Sequence, residues 1–196
     1  MILDLFIPAL VLLVLGAFSL ALRRQSLKTL GVCRPPAGAS RMIIHVALLT
    51  LGWNILTFLL FLPLLELATG TEQDVSGFAP IQGDFRLLLL MLALSWTLAA
   101  VGEEFAFRGY VQTRMRELLP GRWGLATAII FSSLLFGLVH TEQGIVGVIV
   151  TTVDGVFFSL LRYQFRTLWA AVTSHGVSNT MGLIVFFLFG PVQAPW

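Results

Sequence analysis

The densest chemistry in this 196-residue chain lies between Val101 and Tyr110, Val-Gly-Glu-Glu-Phe-Ala-Phe-Arg-Gly-Tyr, where two adjacent carboxylates and an arginine end a long apolar run. An ionisable side chain near a bilayer centre costs at least ~2.5 kcal/mol, so it marks a functional site by default and calls for a partner. Helical spacing sorts the three. Glu104 and Arg108 are four apart, one turn along the same face and in the order that favours an ion pair. Glu103 lies about 100° further round and remains available. Two more pairs are spaced by one turn, Phe136 with His140 and His175 with Asn179. A carboxylate base takes a proton from water and hands it to a leaving amine, while a histidine shares or positions that water. His and Asn donors on one face stabilise a developing oxyanion. The set describes water-mediated hydrolysis of an amide.

The elements that must position these residues are read from composition. A chain that is 57% hydrophobic and 11% charged, with mean hydropathy +0.91, belongs to the membrane class. The reading is an all-α polytopic membrane protein, a bundle of about six transmembrane helices with a polar intramembrane cavity, forming a single domain over 1–196. With ~20 apolar residues per crossing, the spans fall at Ile2–Leu22, Met42–Leu65, Phe85 to Glu103-Glu104, Trp123–His140, Ile145–Leu161 and Thr167–Phe189. The formal charge of +2 sits in loops and reads as topology, not as a nucleic-acid footprint. Arg23 to Arg41 holds five basic residues and no acid, which places it in the cytoplasm; the loop from Glu66 to Arg86 is acidic and lies outside. Arg108, Arg114, Arg116 and Arg122, and later Arg162 and Arg166, mark returns to the cytoplasm. Both termini are expected outside, in the inner membrane of a prokaryotic cell.

The Pro120-Gly121 turn relates two of the chemical residues. Glu103 precedes it by nearly as many residues as His140 follows it, so antiparallel helices bring the two to similar depth. If Arg108 to Leu119 projects below the hydrocarbon, the cavity is expected in mid-membrane or nearer the cytoplasm; if the Pro120-Gly121 turn instead sits at the interface, Glu103 and His140 approach the outer face, as an enzyme acting on exported proteins would require. Asp154 in the fifth span reads as a structural hydrogen-bonding residue, and His45 and Asn54 as polar groups bonded between helices. Cys33, the only cysteine, excludes an internal disulfide and reads as filling a small apolar gap.

Glu-Glu-Phe-Ala-Phe-Arg (103 to 108), Phe-Gly-Leu-Val-His (136 to 140) and His-Gly-Val-Ser-Asn (175 to 179) resemble the EExxxR, FxxxH and HxxxN motifs of the CPBP family. These are the CAAX-protease and bacteriocin-processing intramembrane endopeptidases, also called the ABI family. The resemblance places the catalytic half at about 86–189. It implies Glu103 as base, His140 as its assistant, and His175 with Asn179 as the oxyanion site. Glu104, Arg108 and Phe136 would be supporting residues. It implies a membrane-anchored protein or peptide substrate met within the lipid bilayer, no nucleic acid, and no required cofactor.

Rival readings use the same residues. Glu103 or Glu104 with His140 and His175 would make a two-histidine, one-carboxylate set that could hold zinc with an open position, although HExxH is absent. A serine nucleophile at Ser132, Ser133 or Ser174 would lack the GxSxG setting. A non-enzymatic bacteriocin-immunity scaffold or transporter would use the buried charges as a packing network or ion path.

Overall fold

The computed structural model describes residues 7–119 and 121–191. Residues 2–6 of the expected first span and Pro120 of the expected turn lie outside them. Among the described residues every regular element is helical. A helix suits a lipid phase because it satisfies its own backbone N–H and C=O groups where no water can.

Six helices follow in order: α1 Ile7–Leu22, α2 Ala39–Thr69, α3 Phe85–Leu118, α4 Arg122–Leu138, α5 Gly144–Phe165 and α6 Leu168–Phe189. Helices α2, α3, α5 (with the turn before it) and α6 are long and apolar enough to cross a membrane; α1 and α4 contribute the shorter apolar stretches Leu13–Leu22 and Trp123–Leu138. Helix α6 is central, packed against α2, α3 and α5, while α4 pairs with α5 and α1 lies along α3. Local chemistry sets the helix ends. Asp84 caps α3 by accepting from the backbone N–H of Arg86 at 3.0 Å and of Leu87 at 2.9 Å. Gly70, at φ 67°, closes α2 in the left-handed conformation a glycine adopts without strain.

Helix α3 departs from expectation in two ways. It runs on well past Glu104, and between Ser95 and Val111 its turns are wide, with backbone N–H groups reaching back five residues, as from Gln112 to Phe107. Wide turns of this kind are frequent at functional sites. All three charges of the first motif lie within them. Arg108 is fully buried, so it does not mark the cytoplasm; only Arg116 to Leu119 at the foot of α3 is exposed.

Arg162 is a second correction of the same kind. Expected in a loop, it sits on α5 and is 8% exposed. Its guanidinium donates to the Arg108 carbonyl, to Gln112 Oε1 at 2.7 Å, to Leu30 O at 3.1 Å and to Thr113 Oγ1 at 3.1 Å. Gln112 in turn donates to Ser159 Oγ at 2.9 Å. An arginine presents five donors in a fixed fork, and partners from two parts of the chain, Leu30 and the 108–113 stretch of α3, take up four of them here. Cys33 is exposed, not buried in an apolar gap; its thiol donates to Arg166 O at 3.2 Å. His45 is also exposed and donates within its own helix, to Arg41 O at 2.7 Å, so it joins no second helix. Asn54 does, accepting from Ser178 Oγ at 3.2 Å.

At the acidic end, residues 70–84 are strapped across the bundle. Gln73 donates to Gln143 Oε1 at 2.8 Å, Asp74 N donates to Gln143 O at 3.1 Å, and Gly83 N donates to Phe187 O at 3.0 Å. Within the strap, the Ser76 hydroxyl and amide donate to Asp74 and hold its carboxyl below the usual range.

Candidate active site

A cavity of about 950 Å³ runs inside the bundle, and Glu103, His140, His175 and Asn179 all line it. Helix α3 supplies the first, the turn after α4 the second, and α6 the last two. The three sequence motifs therefore face one space. Glu66, Gln73, Glu142 and Gln143 also line this cavity, so it reaches from the depth of His175 to the acidic end of the bundle.

The geometry is built on Glu104. Its Oε1 accepts from Arg108 at 2.9 Å and from His175 Nδ1–H at 2.9 Å, and both carboxylate and guanidinium are fully buried. The ion pair expected from the four-residue spacing is present; the bond to His175 has no counterpart in the sequence reading. A carboxylate only accepts, so His175 Nδ1 carries the proton of this bond, and Nε2 faces the cavity 4.0 Å from Glu103 Oε2. Glu103 Oε2 is buried with no hydrogen-bond partner in the protein.

Phe136 shows why the second motif needs an aromatic residue. The Arg108 guanidinium lies 4.0 Å from its ring centre, a cation–π contact that gains strength away from water. The same ring stands edge-on to His140 and to His175, at 4.8 Å and 5.7 Å between centres. His140 donates from Nδ1 to Phe136 O at 2.8 Å, which leaves Nε2 free to accept. Phe158 stacks on His175 at 5.2 Å. Sequence reasoning missed Phe158, one phenylalanine among sixteen. Gly155 backs the arginine: a Cβ there would come within 2.6 Å of Arg108 Nη2.

Asp154 lines the cavity and accepts from Trp53 Nε1 at 2.7 Å, the hydrogen-bonding role expected of it. Trp53 stacks on Phe157 at 4.7 Å, which ties α2 to α5 beside the site. Ser132, Ser133 and Ser174 are fully buried and do not line the cavity. Ser174 shares a 2.7 Å hydrogen bond with Thr50. Among the described residues no three His, Cys, Asp or Glu side chains are grouped so as to hold a metal ion.

Breaking a buried ion pair by removing one partner costs about 3–5 kcal/mol, because the other charge is left uncompensated. Arg108→Ala is expected to lower the thermal unfolding midpoint of the protein in detergent by well over 5 °C, whereas the exposed Arg116→Ala leaves it within a degree or two. An unchanged midpoint for Arg108→Ala would show that the pair carries no structural weight.

Residues 85–181 match the family model described as type II CAAX prenyl endopeptidase Rce1-like. No curated protein and no solved structure matches the chain. The matched segment runs from the start of α3 into α6 and contains all three motifs, and the family is one of proteases. Through this segment the chain is similar to the Rce1-like proteases of the CPBP family, and its apolar helices make it an integral membrane protein whose substrate is met at the membrane.

Proposed function

We propose that the chain is an intramembrane endopeptidase that hydrolyses a peptide bond in a membrane-anchored protein or peptide, using water activated by Glu103 and His140. The observation that carries this reading is the contrast between the two adjacent carboxylates. Glu104 is engaged by Arg108 and His175, whereas Glu103 turns an unpartnered oxygen towards the cavity that also receives His140, His175 and Asn179. Glu104 also keeps one buried oxygen without a partner, but it does not line the cavity, so only the free lone pair of Glu103 is placed to meet a water there.

Glu103 takes a proton from water as the oxygen bonds to the scissile carbonyl carbon, and His140 Nε2 accepts the second water hydrogen bond. The carbonyl becomes a tetrahedral oxyanion, which the Asn179 amide and His175 meet with donors; His175 donates from Nε2 as the imidazolium whose Nδ1–H is held by Glu104. The C–N bond then breaks, and Glu103 passes its proton to the leaving amine. Every proton in this sequence has a residue of the chain to carry it, so no cofactor enters.

The reading includes an orientation. With the basic segment Arg23 to Arg41 in the cytoplasm, both termini and the acidic mouth of the cavity face outward, as expected for an enzyme of a prokaryotic inner membrane acting on exported proteins. The exposed Cys33 should then react with an impermeant thiol reagent only after permeabilisation, while a cysteine at Glu72 in a Cys33→Ser background reacts in intact cells. The opposite labelling pattern would reverse the orientation.

The direct test is Glu103→Gln, which keeps shape and removes the base. A positioned base contributes about 10²–10⁴-fold, so membranes carrying the variant should accumulate an untrimmed precursor that wild-type membranes convert to a product with a new terminus, at equal levels of folded protein. A scaffold or transporter would tolerate the change and show the same set of termini in both membranes.

A further inference from the structure

The cavity is lined by four carboxylates, Glu66, Glu103, Asp154 and Glu142, and by no lysine or arginine among the described residues. Two of these are used elsewhere in the argument: Glu103 as the base and Asp154 in its bond to Trp53. Glu66 is not. It is 9% exposed, its Oε1 accepts from Gln73 N at 3.1 Å, and its Oε2 is buried with no partner. An unpaired carboxylate oxygen inside a membrane protein is costly and calls for an explanation, and Glu66, unlike Glu104, has the cavity beside it to admit a ligand.

We propose that the mouth of the cavity is a cation subsite, in which Glu66, seconded by Glu142, receives a lysine or arginine side chain of the substrate. The proposal rests on the reading of the cavity as a peptidase site and adds the chemistry that selects its substrate. A cleft of one charge sign with low-dielectric walls concentrates the opposite charge, and a charge-assisted hydrogen bond to Glu66 Oε2 would supply the missing partner.

The distance along α2 sets the spacing. Thr50 is level with His175, because its hydroxyl bonds the adjacent Ser174 at 2.7 Å, and Asn54 is level with Asn179, because it accepts from the adjacent Ser178 at 3.2 Å. Glu66 lies twelve to sixteen residues further along the same continuous helix, or ~18–24 Å at 1.5 Å per residue. An extended peptide covers that span in about five to seven residues. The preferred substrate therefore carries its basic residue about five to seven positions from the bond that is cut, on the side leading to the acidic mouth.

The test measures binding, which needs no hydrolysis. The full chain carrying Glu103→Gln is placed in lipid nanodiscs with dansyl-labelled apolar peptides of about 20 residues. These are identical except for Lys, Gln or Glu about five to seven residues from the centre, and energy transfer from the protein's tryptophans reports binding. The lysine peptide should bind roughly 10- to 100-fold more tightly than the glutamine peptide, and the glutamate peptide more weakly than either. Adding Glu66→Gln should erase the difference between Lys and Gln. Equal binding of the three peptides would overturn the proposal, as would a lysine preference that survives Glu66→Gln. The first outcome is read on protein with Glu66 intact, so the test stands even if Glu66→Gln fails to fold. If wild-type protein cleaves no peptide yet the lysine preference appears, the peptidase reading falls and the cation subsite remains.

Discussion

One oxygen atom organises this structure. Glu104 Oε1 accepts from Arg108 and from His175 at the same distance, 2.9 Å, and so joins α3 to the central helix α6 where neither charge reaches water. Outside such an arrangement each of these groups would be expensive in an apolar interior. Within it, the arginine neutralises the carboxylate and the carboxylate fixes the orientation of the imidazole. The ring is then sandwiched by packing, stacked on Phe158 and edge-on to Phe136, leaving Nε2 as the one polar atom turned to Glu103. The catalytic arrangement proposed above is a consequence of that lock.

Other features of the fold read as conditions for keeping the lock closed. The wide turns of α3 carry Glu103, Glu104 and Arg108 together, and close helix packing requires small residues beside them. Gly155 admits the Arg108 guanidinium, and at Gly176, next to His175, a Cβ would come within 2.5 Å of the Trp96 ring. Below Arg108, Arg162 holds the same stretch of α3 from the other side, donating to the Arg108 carbonyl and to Gln112. Two buried arginines thus fix the depth and rotation of α3: Arg108 through its own side chain, and Arg162 of α5 by donating to the α3 backbone and to Gln112.

Much of this was legible in the sequence because it was local. The all-helical bundle follows from composition, the Glu104–Arg108 pair from a four-residue spacing, and the meeting of Glu103 and His140 in one cavity from their similar distances to the turn at Gly121. What was not legible depends on partners distant in sequence. Positive-inside counting treats an arginine as a loop marker, and Arg108 and Arg162 defeat it because groups from other helices satisfy them. The second bond of Glu104 spans 71 residues to His175, and the bond of Trp53 to Asp154 spans 101; no helical period reports either. The reach of the cavity to Glu66 and Gln73 was equally hidden, since loop residues acquire a position only when the strap folds over the bundle.

The claim that Glu104 couples Arg108 to His175 is tested most directly by a double-mutant cycle on unfolding free energy, using Glu104→Gln, His175→Gln and the double variant in one detergent. Residues in direct contact within a buried network couple by about 0.5–3 kcal/mol, whereas independent sites add to within about 0.3–0.5 kcal/mol. The account predicts a coupling of at least about 1 kcal/mol for Glu104 with His175, above the level expected of independent sites. Simple additivity of the two substitutions would contradict it.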